Sequence, residues 1–352
     1  MAISANLGFP RIGFKRELKR GVESYWGGKI SEQELQLLGA GIRKENWILQ
    51  QKAGISQIPS SDFSFYDQVL DAAVMLGAIP KRYDSLSALS DLDRYFAMAR
   101  GYGKTAIPAM EMTKWFDTNY HYIVPEFQKG QSFSLSSTKP IDQFIEAKNL
   151  GIQTTPVLLG PISFLTLGKG VDSDRYDLLP ALLPVYEEIL SRLSVSGATT
   201  IQIDEPALVF GVNQKMQTAL MTAYGRLAAV SSALKISIAT YFEGLHAGLG
   251  SVLSLPVSAV HLDLVAAPEQ LESAIKLAPK TLSLSLGVID GRNIWRSDLS
   301  AALKLCQRAV SSLGTERVTI APSCSLLHVP VSLEGESGLD AEIASWLSFA
   351  RE

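Results

Sequence analysis

The chain has 352 residues, 47% of them apolar and 19% charged, which allows a large buried core and argues against a disordered chain. With 32 Lys and Arg against 35 Asp and Glu and a pI near 5.9, it lacks the basic balance of a general nucleic-acid binder, yet has room for a local basic pocket. Cys306 and Cys324 have no CxxC spacing, and no apolar run has signal-peptide or membrane-spanning length, so a cytoplasmic protein without a disulfide framework or membrane contact is expected.

The first strand-like run, "SANLGFP" (4–10), leads into "LGFPRIGFKRELKR" (7–20), with cations at Lys15, Arg16, Lys19 and Arg20. Helical spacing over 14–26 buries Leu18, Val22 and Tyr25 and puts Arg16, Lys19 and Arg20 on another face. That face suits an anion as well as plain solvent. "SEQELQLLGAGIRKENWILQQKAG" predicts a helix from a capping box of Ser31 and Glu34 to a stop at Gly54.

After a second strand at 56–63, about ninety residues precede the third, and an excursion of that length (64–150) must carry helices of its own. Within it "EMTKWFDTNYHY" gathers Lys114, Trp115, Asn119, His121 and further aromatics, suited to a pocket wall or to a structural aromatic cluster.

Further strands are expected at 154–161, 199–206, 235–242, 259–265, 281–290 and 317–324, with helices between them ending at Gly197 and Gly314. Eight strands in alternation with helices predict an α/β fold, a (β/α)8 TIM barrel with a long insertion after the second strand. No GxGxxG follows the first strand, which weakens a dinucleotide-binding sheet. Candidate chemistry belongs at the C-terminal strand ends: Arg11, Asp62, Asp67, the pair Asp204 and Glu205, Tyr241, Glu243, Asp263, Asp290, Arg292, Asn293, Ser323, Cys324 and His328. Asp204 and Glu205 suit acid–base work, an amine ligand or loop orientation. His261 and Asp263 are too few for a zinc site, and there is no GxSxG nucleophile motif.

Taken together, "LGFPRIGFKRELKR", "FSFYDQVLD", "EMTKWFDTNYHYIVPEF", "PVLLGPISFL", "IQIDEPALV", "IDGRNIW", "SCSLLHVP" and "LDAEIASWLSFA" resemble the N-terminal half of cobalamin-independent methionine synthase, from about residue 6 to 350. The resemblance implies a methyltransferase of two facing barrels, in which methyl passes from 5-methyltetrahydropteroyltri-L-glutamate to homocysteine, giving methionine. It places zinc, homocysteine and most of the folate site in a C-terminal barrel that these 352 residues lack, so residues 1–352 are expected to form a single N-terminal barrel, inactive alone. It assigns the folate polyglutamate tail to Arg16, Glu17, Leu18, Lys19, Lys114 and Asn119, and clustered cations match the four carboxylates of a triglutamate. Thr240 and Phe242 stand where the catalytic half has metal-binding His and Cys, leaving only Cys324 as a ligand type, so neither catalytic residues nor metal are expected here. The alternative is a self-standing metal-free barrel, either a binding protein or an acid–base enzyme using Asp204 and Glu205.

Overall fold

The computed structural model describes residues 2–170 and 174–352. Eight parallel strands form one sheet: β1 (Ile3–Ser4), β2 (Ile58–Ser60), β5 (Thr154–Leu159), β6 (Thr200–Asp204), β7 (Lys235–Ala239), β8 (Ala259–Asp263), β9 (Ser283–Ile289) and β10 (Val318–Pro322). Their order is β1-β10-β9-β8-β7-β6-β5-β2. A parallel bridge from Ala5 to Gln57 joins the two ends, where the Asn6 N–H donates to the Gln57 carbonyl and the Gln57 N–H to that of Ser4, each at 3.0 Å. Seven of the eight expected strand windows contain one of these strands, and the first, 4–10, meets β1 only at Ser4. β1 is much shorter than the run that announced it, because Leu7 and Phe9 leave the ladder and bury their side chains in the loop beyond it.

The barrel obeys the two-residue alternation of strands. Along β6, Ile201 and Ile203 belong to the main core, whereas the Gln202 amide reaches across to the Leu7 carbonyl (3.0 Å). The interior carries further polar pairs, Thr154 to Ser60 (2.9 Å) and His261 to Ser285 (2.9 Å). Outside pack α5 (Lys139–Asn149), α6 (Pro161–Leu167), α7 (Leu179–Val195), α8 (Gln214–Ala228), α9 (Leu249–Leu253), α10 (Gln270–Leu277) and α11 (Leu299–Leu313). A short α12 (Ala341–Trp346) follows the last strand. Among the described residues no helix is long and apolar enough to cross a membrane.

Two insertions depart from a plain barrel. Between β1 and β2 stand α1 (Glu17–Trp26) and α2 (Glu32–Lys52). The latter starts at the expected capping box: Ser31 Oγ accepts the Glu34 N–H (3.2 Å) and Glu34 returns a carboxylate to the Ser31 N–H (2.7 Å). After β2 come α3 (Gln68–Met75), α4 (Asp91–Arg100) and a hairpin of β3 (Met112–Lys114) with β4 (His121–Ile123). Leu18, Val22, Leu35, Leu70, Tyr95, Phe96 and Ile123 form a second core beside the barrel. Neighbouring residues enter different cores, Val69 and Tyr122 the barrel core but Leu70 and Ile123 the second one. The excursion is therefore a layer shared between two cores rather than a long loop.

Candidate ligand-binding site at the barrel mouth

The loop after β1 carries the basic cluster. Helix α1 begins at Glu17, three residues later than its spacing predicted, because Arg16 sits at φ 61°, ψ 38° and breaks the helical path. A non-glycine residue there is strained, and its side chain makes no capping bond that would repay the strain. Arg16, Lys15, Lys19 and Arg20 are exposed. Lys19 lies 3.9 Å from Glu23, one helical turn on. Glu17 and Leu18 have other tasks. The Glu17 carboxylate accepts the Lys15 N–H (2.8 Å), shaping the turn. Leu18 is buried in the second core, and its N–H donates to the Ile12 carbonyl (3.0 Å). Of residues 16–19, Arg16 and Lys19 are thus the two that are exposed.

Lys114 and Asn119 are exposed on the hairpin, Lys114 opposite His121 in the ladder. Among the described residues no hydrogen bond or ion pair links them directly to Arg16 or Lys19. The loops meet through Arg11, whose guanidinium lies 5.9 Å from the Tyr120 ring and donates to the Tyr66 carbonyl. The hairpin tip lies across the mouth. Phe116 stacks on Phe210 (4.9 Å) and tilts against Phe242 (5.1 Å), and Arg292 pairs with Asp117 at 2.7 Å while lying 5.2 Å from the Phe242 ring. Trp115 and His328 wall a cavity of about 80 Å³, with Asp62, Asp204 and Tyr241. Sequence reading passed over Lys139, which lines the same cavity and pairs with Asp71, since nothing around a helix-starting lysine signals a partner far along the chain.

Asp204 and Glu205 are not a working pair. Asp204 faces the mouth, accepting Gln202 Nε2 (2.7 Å) and the Tyr241 hydroxyl (2.9 Å), and burial pushes its carboxyl up to about 7. Glu205 turns outward into the helix layer, where it accepts the N–H groups of Ile162 (3.2 Å) and Ser163 (2.6 Å) and the Tyr224 hydroxyl (2.7 Å). Burial raises it too, against those bonds. A Cβ on Gly160 would come within 2.2 Å of its carboxyl carbon, so that glycine makes room for it. The last residue of β6 and the one that follows it thus point to opposite sides, which removes the basis for joint acid–base catalysis.

The positions compared with zinc ligands do not fit a metal. Thr240 Oγ1 donates to the His261 carbonyl (2.8 Å). Asp263 spends its carboxylate on the N–H groups of Phe242, Val265 and Ala266 (3.0, 3.0 and 2.8 Å). The Cys324 thiol is fully buried and held well above its usual range by that burial. His261 is pushed down to about 4 by burial and stays neutral, bonded to Ser285 and to the Ser323 carbonyl. Among the described residues no group of three or more His, Cys, Asp or Glu is placed to hold a metal ion.

The family described as cobalamin-independent synthase, N-terminal domain, matches residues 3–314. A 5-methyltetrahydropteroyltriglutamate–homocysteine methyltransferase from Rhodopseudomonas palustris is 51% identical over 366 aligned positions, which cover 98% of this chain and 46% of that protein. The protein of the same name from Salinibacter ruber is 50% identical, covering 100% and 47%. A solved B12-independent methionine synthase from Shewanella shares the fold at TM-score 0.62 and 15% identity, over 88% of this chain and 86% of that one. The chain spans about half the length of the curated relatives it matches. On the family match and the identity across nearly its whole length, it belongs to the cobalamin-independent methionine synthase family, of which it carries the N-terminal domain.

Proposed function

We propose that this chain is the N-terminal barrel of a cytoplasmic methyltransferase that moves methyl from 5-methyltetrahydropteroyltri-L-glutamate to homocysteine, forming methionine. Its share is to hold the polyglutamate tail of the folate and to scaffold a catalytic half that holds zinc and homocysteine. The observation that carries this reading is the half-length match at 51% identity to a protein named for that reaction. The site geometry supports it. Arg16 and Lys19 present exposed cations at the N-terminal end of α1, where the helix dipole also favours anions. The strain at Arg16 is of the kind kept at ligand sites. Lys114 and Asn119 add an exposed cation and an exposed amide on the hairpin.

Calorimetric titration of the chain with mono- and triglutamate forms of the folate tests this. Triglutamate should bind tighter, the preference should shrink as salt rises, and the chain alone should form no methionine with or without zinc. Equal affinities would overturn the tail assignment, and turnover by the chain alone would overturn the division of labour.

A further inference from the structure

The hairpin that carries Lys114 and Asn119 is too small to hold itself. Each strand has three residues, and an isolated two-stranded ribbon is marginal even when longer. Trp115, Tyr122 and Ile123 bury it in the two cores, and two polar anchors from outside fix its base and its tip. At its base is Asp67, 1% exposed. One carboxylate oxygen accepts the N–H groups of Val69 (2.7 Å) and Leu70 (2.9 Å), capping α3, and the other accepts the N–H of Ile123 (3.1 Å). In the ladder, Val124 donates to the Glu111 carbonyl across the hairpin, so the preceding N–H, that of Ile123, points away from β3 and needs an outside acceptor. Only a carboxylate offers acceptors on both oxygens for donors from two separate elements. The second anchor, at the tip, is Arg292, bonded to Asp117 and lying against Phe242. Lys114 and Asn119 lie between the two.

We infer that Asp67 and Arg292 are positioning residues: without touching the ligand, they fix where Lys114 and Asn119 stand and so set the preference for a glutamate tail. This rests on the tail-binding reading of those two side chains. Asp67→Asn puts a donor where an N–H must be accepted, either at the α3 cap or at Ile123. Arg292→Gln keeps a side chain over Phe242 but removes the charge facing Asp117.

Both variants of the 352-residue chain are compared with the parent by amide hydrogen exchange and by titration with mono- and triglutamate folate. At pH 8, where Asp67 is ionised although burial pushes its carboxyl up to about 7, the Ile123 amide of Asp67→Asn should exchange about tenfold faster or more, as expected on losing a charged acceptor. Triglutamate affinity should fall roughly two- to fivefold in either variant while monoglutamate affinity holds. The charge swap Arg292→Asp with Asp117→Arg should restore much of the loss at the tip, which assigns that loss to the ion pair rather than to a contact of Arg292 with the ligand. A faster-exchanging hairpin with unchanged triglutamate affinity overturns the inference. So does an unchanged Ile123 amide in folded Asp67→Asn. If that variant fails to fold, Arg292→Gln and the swap decide. Failure of the parent chain to prefer triglutamate would instead refute the tail-binding reading itself, and this inference with it.

Discussion

Arg16 and Lys19 allow a prediction whose size the structure sets. Both are exposed, and the Lys19 side chain is 59% exposed beside Glu23. An ion pair between such a cation and a ligand carboxylate is largely screened by water and contributes about 0.2–1 kcal/mol, roughly 1.4- to fivefold in affinity. Desolvated pairs of about 1.5–3 kcal/mol, which the sequence alone would permit, are not what this surface offers. Lys19→Ala and Arg16→Ala should each weaken triglutamate folate by that smaller factor, with the double variant near the product, and should leave monoglutamate almost untouched. The differences should fade toward 1 M salt, where the Debye length is about 3 Å. Arg16→Gly separates strain from charge. It should weaken the tail as the alanine variant does, yet stabilise the fold by roughly 1 kcal/mol, because glycine accepts φ 61° freely. Titration calorimetry at two salt concentrations and urea unfolding read both effects. Equal losses for mono- and triglutamate would refute the tail assignment. Losses well beyond tenfold would refute the solvated-pair argument, and an Arg16→Gly chain no more stable than the parent would refute the strain.

Two more outcomes follow from the carboxylates. Glu205→Ala should cost at least about 3 kcal/mol, since it strands three buried donors; Asp204→Asn at pH 5 should cost far less, and equal costs in urea melts would refute their opposite orientations. Asp67 and Asp204 stand near 7 when folded, pushed up by burial, so the stability they favour is present below about pH 4 and lost as pH rises to 7. His261 and His328, pushed down to about 4, act in the opposite sense, losing stability as pH falls from 6.5 to 4. Asp204→Asn should therefore gain on the parent between pH 4 and 7, by at most about 1.4 kcal/mol per pH unit; parallel profiles would contradict this.

How much was legible in the chain varies by element. The capping box at Ser31 and Glu34 was readable because both partners lie within one helical turn. The later strands were readable because their continuous apolar runs mark burial on both faces. The start of α1 was misjudged because no spacing rule announces a left-handed Arg16. Lys139 went unnoticed because its partner Asp71 is 68 residues away in the chain.

The sequence by itself determined the barrel, the family and the basic stretch, since periodicity, caps and long motifs are local and survive without neighbours. Only the tertiary structure decided which of those residues are free to act. Glu17 is bound into a turn, Leu18 is in a core, and Glu205 is committed to α6 and Tyr224. Asp67, in the chain one of many strand-end candidates for chemistry, ties together two elements that meet only on folding. A side chain's partners are set by which face of its strand or helix meets which neighbour, and that is fixed by packing across the whole chain rather than by the residues on either side.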